Sequence, residues 1–213
     1  MADFIRARSP EQKELRMSEI KTAADSLFLE KPYHEITLST IADRLSWTRA
    51  NLYRYVSTKE EIFLELTEDR MSEYYDALMA AVPEGCGYSP ETLAEVWASI
   101  VNAHTDYFKY GSILSSIIET NVSVERLATF KSTFYDMADA LSERLVSVTG
   151  MSLDSAYQIQ IAVYYHAVGL TGVCHSGPLI RQALELAGIE RPRLDLKDAM
   201  RDFILMNVRY RVA

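Results

Sequence analysis

Between Arg44 and Lys59 the chain reads R-L-S-W-T-R-A-N-L-Y-R-Y-V-S-T-K. Four cationic side chains, Arg44, Arg49, Arg54 and Lys59, stand there with no acidic one. Cations interleaved with aromatic and short polar residues suit a polyanion whose surface also carries readable edges. An arginine can pair with guanine O6 and N7, and an asparagine with adenine N6 and N7, so Arg49 and Asn51 are candidate readers of bases. Thr48, Tyr55 and Lys59 are suited to phosphate oxygens, which fix position without reading sequence. Lys59 also sits where a helix should start, and free backbone N–H groups at such an end favour an anion.

The rest of the chain is unlike this window. All 213 residues together carry a formal charge of −8, yet residues 1–60 carry +1 and the remainder −9. An acidic body with a locally basic head argues against non-specific polyanion binding by the whole chain and leaves room for a small dedicated module. Hydrophobic residues make 48 % and charged residues 24 %, ordinary for a globular protein. Cys86 and Cys174 are far apart and form no C-x-x-C pair, so no disulfide framework or structural zinc site is expected. The start shows no secretory signal. The most apolar run, residues 161–174, is too short to span a bilayer. These features predict a cytoplasmic protein with no membrane partner.

The elements that must position the window are all helices. Ser9-Pro10-Glu11-Gln12 can cap a first helix that stops near Lys31-Pro32. Thr37 caps a two-turn helix with Leu38, Ile41, Ala42 and Leu45 on one face, and a second short helix starts at Thr48 with Leu52 and Val56 inward. Ser57 with Glu60, or Thr58 with Glu61, opens a long helix that ends before Pro83. Beyond the loop 83–90, a helix begins at Ser89-Pro90 and breaks at Tyr110-Gly111. A short helix over Ile113–Glu119 follows, then long ones over Val124–Val148 and from Ser152 to about Gly172. A short one spans Leu179–Leu186, and the last runs from Asp195 to about Arg209. No segment alternates with period two. The predicted fold is all-α: an N-terminal three-helix helix–turn–helix DNA-binding domain over residues 1–60, then a larger helical domain over 61–213.

The stretch I-T-L-S-T-I-A-D-R-L-S-W-T-R-A-N-L-Y-R-Y-V-S-T-K-E-E-I resembles the DNA-binding signature of the TetR family of transcriptional regulators, over about residues 10–66. Its specificity lies in the L-Y-x-Y core followed four residues on by lysine. The resemblance implies that Arg49, Asn51 and Tyr53 approach base edges, that Thr48, Tyr55 and Lys59 hold phosphates, and that Ser39 lies near the DNA. Two positions depart from the family pattern: Ser46 stands where glycine is usual, and Trp47 where a small aliphatic is usual. Serine is strained if that position needs positive φ. Arg6 and Arg8 precede the first cap and could form an arm toward phosphates or the minor groove, or remain an unordered terminus.

In the larger domain Trp97, His104, Tyr107, Phe108, Phe134, Tyr135, Tyr164, Tyr165 and His166 concentrate in the middle helices. Rings with polar tips suit a pocket for an amphipathic or aromatic small molecule. Of these, Trp97, His104, Tyr107, Phe108, Phe134, Tyr164 and His166 are the candidate effector-binding residues. No cationic cluster accompanies them, which argues against a multiply anionic effector. Residues 156–168 are apolar almost all round, and Leu196, Ala199, Met200, Phe203, Met206 and Tyr210 repeat near heptad spacing. These two helices form a candidate two-fold interface, two from each partner, as in the usual dimer of the resembled family. The expected partners are therefore a double-stranded DNA operator, an unidentified small-molecule effector and a second copy of the chain.

His104, His166, His175 and Cys174 are the obvious metal or nucleophile candidates. They lack H-x-x-x-H or E-x-x-H spacing, and no G-x-S-x-G, P-loop or G-x-G-x-x-G motif is present. No catalytic residue, metal site or cofactor is assigned. The expectation is a ligand-responsive homodimeric regulator, a repressor rather than an enzyme. The rival is a helical protein that binds a small molecule, senses a metal or thiol, or catalyses, with an incidental basic head.

Overall fold

A computed structural model describes residues 10–174, 177–190 and 194–212. Ser9, Arg6, Arg8 and His175 lie outside the described residues. Among the described residues every regular element is a helix, as the absence of period-two alternation predicts. The chain divides into two compact units, residues 1–68 with 114–128, and residues 69–113 with 129–213.

In the first unit α1 spans Pro10–Glu30 and stops where Pro32 disfavours a helical conformation at Lys31. A 3₁₀ turn, Tyr33–Glu35, leads to α2, Leu38–Arg44. Thr37 caps α2: its hydroxyl accepts from the Thr40 amide at 3.2 Å, while the Thr40 hydroxyl accepts from the Thr37 amide at 3.0 Å. That reciprocal box satisfies two amides a helix end would otherwise leave open. Thr48 caps α3, Arg49–Leu52, by accepting from the Asn51 amide at 3.2 Å. α3 is a single turn, shorter than the sequence spacing predicts, and the chain continues in turn conformation through Tyr55. Leu52 and Val56 are both buried, as predicted. Thr58 rather than Ser57 caps α4, Lys59–Ala81: its hydroxyl accepts from the Glu61 amide, and the Glu61 carboxylate reaches back to the Ser57 amide.

The core of this unit joins Ile20, Ala24 and Leu27 of α1 with Ile41 of α2, Leu52 of α3 and Ile62 of α4, all essentially closed to solvent. Phe63 completes it, in edge-to-face contact with Phe28 at 5.5 Å and Tyr33 at 4.9 Å. Such ring pairs add about 0.5–1.5 kcal/mol beyond the area they bury.

In the second unit α5 spans Pro90–Ala103, with Ser89 as cap and Pro90 at the first position. α6 is Thr105–Ile113, followed without a loop by a π-helical turn, Leu114–Ile118, whose residues belong to the first unit. α7 is Val124–Thr149, α8 Leu153–Cys174, α9 Pro178–Leu186 and α10 Leu196–Val212. α5 runs along α10, tied by ion pairs Arg209–Glu91 at 2.6 Å and Lys197–Glu95 at 2.5 Å. α7 and α8 are joined through Gly150, whose φ of +75° closes the end of α7. Tyr157 on α8 donates to Asp139 on α7.

The expected break at Tyr110-Gly111 is corrected. The helix breaks seven residues earlier, at His104 with φ −112° and ψ 38°, and Gly111 lies inside α6. A Cβ there would meet the Tyr164 hydroxyl at 2.6 Å and a Val168 methyl at 2.8 Å. Gly111 is therefore a point of close approach between α6 and α8, retained although glycine costs about 1 kcal/mol against alanine inside a helix. The separate short helix expected over Ile113–Glu119 is the π turn instead.

Candidate nucleic-acid interface and effector site

The Ser46-Trp47 turn sets the exit of the chain toward α3. Ser46 adopts φ +55°, the left-handed conformation glycine accepts freely and a side chain resists. Directly after it, Trp47 lies half-buried, its ring 5.8 Å from that of Tyr55. From this turn Arg49, Tyr53 and Arg54 project into solvent, while Thr48 spends its hydroxyl on the cap. Among the described residues the guanidinium groups of Arg49 and Arg54 have no hydrogen-bond or ion-pair partner. Asn51, Tyr55 and Ser39 are half-buried. Arg54 is absent from the candidate set read from the sequence, and its place in the acid-free window was the available signal.

Two cations of that window are committed elsewhere. Arg44 binds both carboxylate oxygens of Glu30, at 3.0 and 2.5 Å, and the Ser26 hydroxyl at 2.7 Å. The fork on Glu30 holds that carboxyl below the usual carboxylate range. Lys59 donates to the backbone carbonyls of Tyr33 and Ile36 at 2.9 and 2.7 Å, and its ammonium stands 4.0 Å from the Tyr33 ring centroid. Partial burial pulls its pKa down, with Glu60 opposing. The Tyr33 hydroxyl in turn donates to Glu60 at 2.8 Å. Lys59 thus clamps the 33–36 turn to the first turn of α4, with two of its three N–H directions spent inside the fold.

In the second unit six of the seven candidate effector residues form one aromatic assembly, with Tyr74 at its hub. Tyr74 contacts Tyr107 and Phe108, each at 5.3 Å, and His104 at 6.3 Å. Its hydroxyl accepts from Trp97 Nε1 at 2.8 Å. Tyr107 reaches Tyr164 at 5.5 Å, and Tyr75 reaches Phe134 at 6.5 Å. Burial pushes the phenols of Tyr74, Tyr75 and Tyr107 well up from their ordinary value. Among the described residues the hydroxyls of Tyr75 and Tyr107 have no hydrogen-bond partner. Lys131 stands at the edge, 6.0 Å from the Phe134 ring. Neither Tyr74 nor Tyr75 is among the candidates read from the sequence. The signal was a pair of adjacent residues with polar tips on a face otherwise made of Met71 and Leu78.

His166 does not join this assembly. It faces α10 and stacks on Phe203, 3.8 Å between centroids and 14° between planes, so partial burial lowers its pKa. Tyr135 and Tyr165 point to solvent. Other apolar side chains left exposed on α8 are Leu153, Ile161 and Val173, with Met206 and Tyr210 on α10, whereas Leu196, Met200, Ile204 and Val208 turn inward. Among the described residues no group of three or more His, Cys, Asp and Glu side chains is gathered where it could hold a metal ion. Nor is any helix long and apolar enough to cross a membrane.

Comparison with known proteins agrees with this layout. Residues 20–66 match the family described as bacterial regulatory proteins, tetR family, and residues 68–209 match the tetracyclin repressor-like C-terminal domain. No curated protein matches the chain. Among solved structures, a TetR/AcrR-family transcriptional regulator from Thermobifida fusca is similar with a TM-score of 0.60 at 18 % identity, over 91 % of this chain and 96 % of that one. A regulatory protein of the tetR family from Rhodococcus RHA1 gives 0.63 at 13 % identity, over 92 % and 96 %. The regulator PfmR from Thermus thermophilus gives 0.59 at 15 % identity, over 90 % and 97 %. At these identities the likeness is one of fold.

Proposed function

Because the chain belongs to the TetR family of bacterial regulatory proteins, we propose that it is a homodimeric, ligand-responsive transcriptional repressor acting in the cytoplasm. Residues 1–60 bind a near-palindromic operator, and residues 61–213 bind the effector and the second copy. Arg49, Asn51 and Tyr53 approach base edges, Thr48 and Tyr55 hold phosphates, and Ser39 lies beside the backbone. The observation that carries this reading is the Thr48-capped turn. It leaves Arg49 and Tyr53 exposed while Leu52 and Val56 anchor its back face.

The effector site is the aromatic assembly around Tyr74. Its rings are buried, and among the described residues the Tyr75 and Tyr107 hydroxyls have no hydrogen-bond partner, which favours a planar ligand with hydrogen-bond acceptors. With Lys131 only at the edge, a multiply anionic ligand is disfavoured. The effector releases DNA by binding better to a state in which the two heads no longer match successive major grooves.

The test is selection of duplexes from a random library by the full chain, followed by a salt series on the selected and a scrambled duplex. Selected sites should contain two half-sites about 10 base pairs apart, or a multiple, and bind with a steep salt dependence. Arg49→Ala should relax preference at one position of each half-site, by about 1–3 kcal/mol. Equal affinity for the scrambled duplex sinks the regulator reading.

The exposed apolar side chains of α8 and α10, Ile161, Tyr165, Met206 and Tyr210, support the dimer. Sedimentation at micromolar concentration should give twice the chain mass, and Tyr165→Glu with Tyr210→Glu should shift it toward the single chain. A single-chain mass for the unaltered protein would refute the interface.

A further inference from the structure

With Arg44 paired to Glu30 and Lys59 clamped on two carbonyls, the cations left to grip phosphate are fewer than the basic window suggests. A further cation comes from another helix. Arg16 of α1 places its guanidinium carbon 5.4 Å from the centroid of the Trp47 ring. Trp47 in turn lies 5.8 Å from Tyr55. The three form a layer of cation, indole and phenol beside Thr48, the cap of α3. Arg16 is bound at one amino group only, donating to Glu19 Oε2 at 2.7 Å. Its side chain is 46 % exposed, and among the described residues Nε and the second amino group have no hydrogen-bond partner. Glu19, then the Tyr55 phenol at longer range, raise its pKa.

This layer gives the large ring at position 47 a role. Ser46 takes a left-handed conformation that a side chain resists, and the Trp47 face next to it attracts a cation. An arginine held by Glu19 over an indole face is also pre-ordered, so less rotamer freedom is lost when it meets an anion.

We infer that Arg16, seated on Trp47 and held by Glu19, is a phosphate grip of the DNA interface, with the Tyr55 hydroxyl as its neighbour. This rests on the DNA-binding reading. Trp47 is a positioning residue here: it orients Arg16 and does not itself read bases. Glu19 is the internal counterion that an operator phosphate displaces.

The experiment uses the full chain and a duplex selected as above. Affinities are measured from 50 to 300 mM salt, over which the Debye length shortens about 2.5-fold, for the unaltered chain, Arg16→Gln, Glu19→Gln and the double variant. Arg16→Gln should weaken binding to selected and scrambled duplexes alike. It should also reduce the slope of log K against log salt by about one per head, or about two per dimer. Glu19→Gln should tighten binding, and that gain should vanish in the Arg16→Gln background. Trp47→Phe should retain the slope. Thermal midpoints of Arg16→Gln and of the unaltered chain should agree, which separates a lost grip from lost folding. An unchanged slope in Arg16→Gln overturns the assignment, as does a Glu19→Gln gain that persists without Arg16, because that gain would be general charge. Failure of the unaltered chain to select any sequence would instead defeat the DNA-binding reading itself.

Discussion

Replacing Trp97 by alanine lowers the unfolding free energy by about 3–5 kcal/mol, the range for deleting a buried aromatic side chain. The expectation follows from its place in the second unit. Trp97 is 1 % exposed, so the whole indole leaves water on folding and its removal opens a void the surrounding helices fill only in part. A second cost is specific to this site: Trp97 Nε1 donates to the Tyr74 hydroxyl at 2.8 Å, and Tyr74 is itself buried at the centre of the aromatic assembly. Trp97→Phe separates the two contributions. It keeps most of the apolar volume but strands the Tyr74 oxygen, costing about 1–3 kcal/mol. Urea denaturation followed by circular dichroism should rank the unaltered chain above Trp97→Phe and Trp97→Phe above Trp97→Ala. If Trp97→Phe matches the unaltered chain, the indole–phenol bond contributes nothing.

Lys59→Met is the second large effect, and it decides between two roles for one residue. As a phosphate grip, Lys59 would be dispensable for folding, and its loss would lower the salt slope by about one per head. The geometry points the other way. Its ammonium donates to the Tyr33 and Ile36 carbonyls and sits over the Tyr33 ring, tying the turn between α1 and α2 to the start of α4. Hydrogen bonds from a charged donor contribute about 1.5–3 kcal/mol each, and methionine keeps the stem while removing both. Lys59 is only half-buried, so water replaces part of that sum and the variant should lose about 2–4 kcal/mol, read as faster amide hydrogen exchange across residues 20–66. Operator affinity should fall with the folded fraction while the salt slope of the folded protein stays put. A lowered slope with unchanged exchange would return Lys59 to the phosphates.

These two residues show where sequence reading succeeds and where it stops. Caps are local, so Thr37, Thr48 and Thr58 were legible from three-residue spacings. The inward placement of Leu52 and Val56 follows from helical periodicity within one short stretch. The strain at Ser46 was legible because a single backbone angle decides it. What was not legible is which face of one helix meets which face of another. Arg44 looked free because its own window holds no acid, but Glu30, fourteen residues away in sequence, lies opposite it across the α1–α2 contact. The hold of Lys59 on two carbonyls was not legible because carbonyl partners leave no trace in side-chain patterns. His166 was grouped with its aromatic neighbours in sequence, yet one step around α8 turns it to Phe203 rather than to Tyr107. Gly111 read as a breaker because glycine interrupts isolated helices, whereas here its missing side chain is the space that α8 occupies.

That missing side chain has an evolutionary consequence. With the Tyr164 hydroxyl and a Val168 methyl both inside contact distance of any Cβ at position 111, what position 111 can hold depends on the other two. Among descendants of this sequence, a side chain at 111 is tolerable where both 164 and 168 have already made room. The order of substitutions is thereby constrained: both partners make room first, the glycine is filled second, and the reverse path runs through a clash.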